Sequence, residues 1–292
     1  MHKINIENIV SPFGGKTKLI EKIPTSLIDR MYIKKINLST KYFFDNRYVD
    51  IYFMECELTG YKFYYPYDLE GSEEFYNQLS SRWKNYYRKW RWEYSYAKQL
   101  VNKHMDILEI GCGRGFFLKE IESKVNSSLG LELNKNAINS KVCKTKIINQ
   151  DISQHLGKYD MIFSFQVLEH ISNPKVFLEA ALKLLRPNGL LAISTPNFDY
   201  GPHFRMEDAF DLPPHHVGSY TIETHKKIAK TINSSICIAE QSVSDWFNVP
   251  YSKTTTENTI YKLFVRFTNK LGSRILKLTK EPGHTIFVVY QK

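Results

Sequence analysis

The stretch Asp106–Ile121, DILEIGCGRGFFLKEI, decides how the chain folds. A short, mostly apolar run, DILEI, leads into glycines at alternate positions, Gly111, Gly113 and Gly115, and then into FFLKEI, which reads as the first turns of a helix. A strand, a glycine loop and a helix start therefore follow one another without a break. Glycine in such a loop lets the backbone approach a ligand, because a missing Cβ leaves room and permits unusual φ/ψ values. The G-x-G-x-G spacing is one residue tighter than the G-x-G-x-x-G of dinucleotide loops, which points away from a nicotinamide cofactor.

Working outward to the C-terminus, strands and helices alternate. SSLGLEL (127–133) precedes the helical NKNAINSKV, KIINQ is a short strand, and YDMIFSF (159–165) precedes NPKVFLEAALKLL, where Asn173 can cap and Pro174 takes the first helical position. RPNG then turns into the strand LLAISTP, followed by the helix TIETHKKIAKTI, the strand SSICIAEQSV and a terminal strand GHTIFVVYQK. This alternation predicts an α/β domain over 105–292, with a mostly parallel sheet and ligands over the carboxyl ends of its strands. Working toward the N-terminus, residues 71–104 carry GSEEFYNQLSS and NYYRKWRWEYSYAKQLV, whose Tyr86, Trp90 and Tyr94 fall at helical spacing and predict a helical cover. Residues 1–70 predict a β-rich extension, with MYIKKINLST as one β-like run and Gly60 turning YVDIYFMECELTGYKFYYP into a hairpin.

Composition bounds the class. Hydrophobic residues make up 42% of the 292, enough for a buried core. No apolar run reaches the ~18 residues of a membrane span, and MHKINIENIV has no apolar signal core, so a cytoplasmic location is expected. Cys56, Cys112, Cys143 and Cys237 are scattered without a C-x-x-C pair, which argues against a disulfide framework and a cysteine zinc cage. The net charge of +10 suits an acidic partner, although lysine-rich, isoleucine- and asparagine-rich chains are basic through composition alone.

Carboxylates mark the ligand. Glu132 ends the second strand, about twenty residues past the loop, where a carboxylate can accept from both hydroxyls of a ribose. Asp151 ends the third strand, within reach of a purine's exocyclic amine, and Glu109 stands just before the glycine loop. Such a cleft serves a pyrophosphate poorly and suits an adenosine carrying positive charge.

Taken together, DILEIGCGRGFF, GLELN, NQDI, YDMIFSFQVLEHISNP and LLRPNGLLAISTPN resemble the class I S-adenosylmethionine-dependent methyltransferases. The resemblance implies a Rossmann-like sheet of seven strands with the last one antiparallel, helices on both faces, and S-adenosyl-L-methionine as cofactor. It implies that Gly111, Cys112, Gly113 and Gly115 line the methionine part, with Glu109 beside them. Glu132 and Leu133 would sit at the ribose, Asp151 and Ile152 at the adenine, and Phe165 and Gln166 near the cofactor.

Methyl transfer to a hydroxyl benefits from a base or a metal. The candidates are His170 in VLEHIS and His215 and His216 in DLPPHHVGSY, on a proline-stiffened loop after the fifth strand. The pattern is similar to that of ubiquinone-pathway O-methyltransferases and the plant small-RNA 2′-O-methyltransferase, where Glu-x-x-Glu-His binds a divalent metal. Here Gln166 stands at the first carboxylate position, before Glu169 and His170, so no metal is expected and the histidines read as bases or as packing for the Pro-Pro loop.

The flanking sequence resembles a methyltransferase group linked to sugar, polysaccharide and natural-product pathways, whose members usually carry a C-x-x-C-G zinc module. Thr59 replaces the second cysteine after Cys56, so no zinc is expected there. A glycan-pathway or other small-molecule acceptor is the resulting expectation. An RNA acceptor, supported by the basic charge, is a second reading; a non-catalytic binding protein retaining the fold is a third. Residues 253–280 form a basic amphipathic stretch, with Ile260, Phe264, Leu271, Ile275 and Leu278 between lysines and arginines, suited to peripheral membrane contact or to packing as an insert before the last strand.

Overall fold

The computed structural model describes residues 8–44, 47–84, 86–200, 208–241 and 284–292. Strand β1 (Thr17–Pro24) runs into helix α1 (Thr25–Ile36), a short helix α2 (Lys41–Phe44), and the hairpin of β2 (Asp50–Cys56) and β3 (Lys62–Tyr65). Gly60, at φ +72°, turns the hairpin as expected. The run MYIKKINLST, expected to be a strand, is instead largely the second half of α1. The physical reason lies in packing: Ile28 and Tyr32, one helical turn apart, are buried, and Asp29 between them accepts from the Thr40 amide at 2.7 Å and the Ser39 hydroxyl at 2.8 Å. Asn37, left-handed at φ 53°, closes the helix.

The cover departs from expectation too. Helix α3 (Glu73–Arg82) starts at Ser72, whose hydroxyl accepts from the Phe75 amide. Beyond it, helix resumes only in α4 (Trp92–Ala97). Tyr86, Trp90 and Tyr94 therefore share no helical stripe: Trp90 is 54% exposed, Tyr94 is buried, and Tyr86 lies on the non-helical segment between the helices. The basic stretch at 253–280 lies outside the described residues.

Next come β4 (Asp106–Ile110), α5 (Phe116–Ile121), β5 (Ser127–Leu131), α6 (Lys135–Asn139), β6 (Lys146–Ile148), β7 (Tyr159–Phe165), α7 (Pro174–Lys183), β8 (Leu185–Pro196), β9 (Gly218–Ser219), α8 (Ile222–Thr231), β10 (Ser235–Gln241) and β11 (Thr285–Gln291). The main sheet has seven strands in the order β10-β11-β8-β7-β4-β5-β6. Pairs among β4, β5, β6, β7 and β8 are parallel, and β11 inserts antiparallel between β8 and β10, the expected arrangement. RPNG, expected as a turn, is contained within β8, with Asn188 at φ 64° where the register against β7 shifts.

Alternation along the strands feeds two cores. Leu108, Ile110, Ile162 and Ile193 pack with Phe177, Leu178 and Ala181 of α7 and Ile228 of α8. Ile107, Met161, Phe163 and Ala192 pack with Phe117, Leu118 and Ile121 of α5 and Tyr94 of α4. Strands buried on both faces need continuous apolar runs, and these have them. The second sheet, β1-β2-β3-β9, takes its fourth strand from the loop after β8: Gly218 pairs with Phe63 and Ser219 with Lys62. The core beneath joins Ile28 and Tyr32 of α1 to Phe210, Leu212 and Val217 of that loop.

Candidate active site

Both layers meet over the carboxyl ends of β4, β5, β7 and β8, where a cleft of about 1430 Å³ opens. Single-ligand sites usually hold ~300–1,000 Å³, so this volume accommodates a cofactor and an acceptor together.

The cofactor end is a backbone cradle. Gly111, Gly113 and Gly115 all lie at positive φ, 68°, 54° and 76°. At Gly113 a Cβ would also come within 2.8 Å of the Tyr87 ring, so both the conformation and the close approach require glycine. Glu132 faces this loop and accepts from the Gly113 amide at 2.7 Å and the Asn134 amide at 2.8 Å. Burial raises its pKa, opposed by these amide bonds. Glu109, 2% exposed, has an Oε2 with no hydrogen-bond partner, and burial followed by the Glu132 carboxylate pushes it well above the carboxylate range. A buried, unsatisfied carboxyl group beside a half-buried one favours a cationic ligand. Asp151 lies in the same lining, its carboxylate accepting from the Ser153 amide at 2.8 Å, with Ile152 beside it and Leu133 at the rim. Phe165 is buried against Tyr94 and Phe117, at ring distances of 5.0 and 4.9 Å. Gln166 sits at φ 55°, a strained value for a residue with a side chain, and its amide donates to the Ser194 hydroxyl at 3.2 Å. Cys112 is buried behind the loop, its thiol pushed well up by burial.

The acceptor end is made of side chains. His170, His215 and His216 come together, one donor atom from each lying within 4.8 Å of the others. The His170 and His215 rings are 4.6 Å apart, and the His216 ring is 5.0 Å from His170. Burial, then His216, pushes the His170 pKa down to about 3, and burial with its two histidine neighbours holds His215 well below its usual value. Glu169 is 2% exposed, and burial raises its pKa to about 7. The Tyr76, Tyr86 and Phe210 rings surround His215 at 6.3, 6.0 and 5.5 Å.

Every sequence-predicted residue except Gly115 thus borders one cleft, the cofactor set at one end and the three histidines at the other. Gly115, expected to line the methionine part, instead faces the core, where a Cβ would come within 2.5 Å of Cys143 Sγ. Sequence reasoning missed Tyr87, which lies over Gly113, and Asp211, whose carboxylate is 3.3 Å from His216 Nδ1. Only Asp211 carried a signal, an acidic residue opening the DLPPHH run. Cys56, read as the relic of a zinc module, is buried with its thiol directed to the Gly14 carbonyl.

A methyltransferase-domain family model matches residues 82–233, just over half of the chain. The chain belongs to this methyltransferase family. Among curated relatives, a ubiquinone biosynthesis O-methyltransferase of Hydrogenovibrio crunogenus is 27% identical over 123 residues, covering 37% of this chain and 51% of that protein. The mitochondrial ubiquinone biosynthesis O-methyltransferase of Candida albicans is 28% identical over 165 residues, 50% of this chain and 46% of that one. The chain spans about half the length of these curated relatives. Among solved structures, an S-adenosylmethionine-dependent methyltransferase from Mesorhizobium loti superposes with a TM-score of 0.50 at 14% identity, over 68% of this chain and 97% of that one. The class I S-adenosylmethionine-dependent methyltransferase fold is thereby shared, with seven strands and the last one antiparallel.

Proposed function

We propose that the chain is an S-adenosylmethionine-dependent methyltransferase acting on a hydroxyl of a ring-bearing acceptor, either a glycan-pathway intermediate or another small molecule. The observation that carries this reading is a single cleft whose two ends differ in chemistry: a glycine cradle with Glu132 and Glu109 at one, a histidine wall framed by aromatic rings at the other.

The residues fit the cofactor. The unpartnered Glu109 carboxyl and its neighbour Glu132 supply negative character for a cationic ligand, and Glu132 can exchange its amide partners for ribose hydroxyls. When bound, S-adenosylmethionine supplies an electrophilic methyl group on a sulfonium. Tyr87 and the surrounding cover exclude water from the glycine loop, and Tyr76 and Tyr86 offer faces on which an acceptor ring can stack. Alignment of donor and acceptor is the main task of such a site. The histidine wall activates the acceptor hydroxyl, because a neutral hydroxyl is a poor nucleophile. The aromatic frame, together with the resemblance of the flanking sequence, supports a sugar-bearing acceptor.

Calorimetry with S-adenosylhomocysteine tests the cofactor assignment; failure of the wild-type chain to bind it overturns the reading. Reactions with the methyl donor and glycan precursors, phenols or RNA, followed by mass spectrometry, test the acceptor. A gain of one methyl on a glycan or small-molecule hydroxyl is expected, and methylation of RNA alone would replace that acceptor class.

A further inference from the structure

The other buried histidines among the described residues, His155 and His225, are fully satisfied. His155 has both ring nitrogens bonded, to Gln150 at 2.9 Å and Tyr159 at 2.8 Å. His225 likewise meets Thr195 at 3.3 Å and Tyr290 at 2.6 Å. His215 differs. It is 5% exposed, its Nδ1 lies 2.8 Å from the Phe210 carbonyl, and its Nε2 is buried without a partner. Glu169, 2% exposed, has its Oε2 in the same condition. A buried polar atom left unpaired is costly, and two lining one cleft call for a shared ligand.

The other two histidines supply the rest of the set. Nδ1 of His170 faces the His215 carbonyl, and Nδ1 of His216 faces the Asp211 carboxylate at 3.3 Å. An oxygen accepts only, so each of the three rings carries its proton on Nδ1 and its lone pair on Nε2. Histidines held in this way, by carbonyls and carboxylates behind them, are oriented as metal ligands. Donor atoms within 4.8 Å of one another are somewhat wider apart than the ~3.4 Å between two nitrogens placed ~2.1 Å from a tetrahedral zinc ion. The His215 and His216 rings are stacked 4.4 Å apart at 18°, side by side in the cleft wall.

We infer that His170, His215 and His216 hold a divalent transition-metal ion, with one coordination position open toward the acceptor. Three imidazoles select zinc or cobalt over magnesium and manganese, which prefer oxygen donors. Three protein ligands and an open position are the arrangement of catalytic zinc sites. Glu169, with Oε1 at 3.8 Å from His170 Nε2, supplies negative charge beside the ion. This corrects the expectation drawn from Gln166: the missing carboxylate position is bypassed, Gln166 bonding to Ser194, and the second histidine of the His215–His216 pair completes the set. The ion's effect on the acceptor, lowering the hydroxyl pKa, rests on the O-methylation reading; the site itself does not.

The test uses the full chain, stripped with a chelator and titrated with cobalt(II) by visible absorption and with zinc(II) by calorimetry. One equivalent per chain with a tetrahedral cobalt band is expected. His170→Ala, His215→Ala and His216→Ala should each weaken binding by at least about tenfold, with S-adenosylhomocysteine affinity held within about threefold as evidence of an intact fold. Asp211→Asn should weaken it less. Failure of the wild-type chain to take up cobalt or zinc stoichiometrically overturns the site, as does binding undiminished in the His215→Ala/His216→Ala double variant. S-adenosylhomocysteine uptake without metal removes the site and leaves the methyltransferase reading standing; metal uptake without S-adenosylhomocysteine does the reverse.

Discussion

The two ends of the cleft are assembled in opposite ways. At the cofactor end the ligand-facing groups come from three short runs, 109–114, 132–133 and 149–152, at the tips of β4, β5 and β6, and much of the surface is backbone. At the acceptor end Tyr76, Tyr86, His170, Phe210 and His215 converge from three segments, the first and last more than a hundred residues apart, and the surface is side chain. A backbone cradle on a parallel sheet tolerates little change at a few positions. A side-chain wall held by packing can be re-cut residue by residue.

Substitutions at the two ends should therefore separate cofactor from acceptor effects. The largest effect is expected for Gly113→Val. A β-branched residue at φ +54° is strained, and its Cβ would meet the Tyr87 ring, so S-adenosylhomocysteine affinity should fall by about 100-fold or more, about 2.7 kcal/mol. Pairing it with Tyr87→Ala removes the clash and leaves the strain. Recovery of binding in the double variant would show that the cover, not the backbone, sets the limit. Glu132→Ala comes next, with a loss of about 10- to 100-fold in calorimetric affinity from the missing charged acceptor. Unchanged affinity would remove the ribose assignment. Tyr76→Ala belongs to the acceptor end: KM for the acceptor should rise about tenfold, the worth of one stacked ring, while the cofactor constant stays put. If both constants move equally, the two ends are not separable.

The smallest effect is on stability, at the amino ends of β4, β7 and β8. Arg186 bridges Asp106 and Asp160, both at 2.6 Å. Hydrogen bonds from Ser127, Arg186 and Asn126 hold the Asp106 pKa down to about 2. A depressed carboxylate stabilises the folded state above its unfolded pKa of ~4 and loses that contribution as pH falls toward about 2. Arg186→Ala should destabilise the fold slightly at pH 6, the ion pairs being largely screened by solvent, and the gap from wild type should shrink at pH 3. Urea midpoints at the two pH values check this.

The same contrast governs what the sequence could reveal. Glu132, Asp151 and the glycines stand at strand ends fixed by local hydrophobic pattern, so their convergence follows from the order of strands alone. MYIKKINLST misled because isoleucine and tyrosine favour strands, whereas Ile28 and Tyr32 are held on one helix face by Phe75 and Phe210, distant in sequence. Tyr86, Trp90 and Tyr94 have helical spacing without a common packing partner, so the spacing had nothing to enforce it. The histidines were identifiable as residues, yet the buried, unpartnered Nε2 of His215 depends on where Phe210 and Glu169 sit, and no spacing encodes that.

The short strand Gly218–Ser219 ties these threads together. It begins two residues after His216 and hydrogen-bonds to the N-terminal sheet, so the wall facing the acceptor is stitched to a layer encoded some 150 residues earlier. Exchanging acceptor preference between relatives by grafting would require moving the front layer and this loop as a unit; transplanting either alone would leave a seam of unpaired backbone beside the histidines.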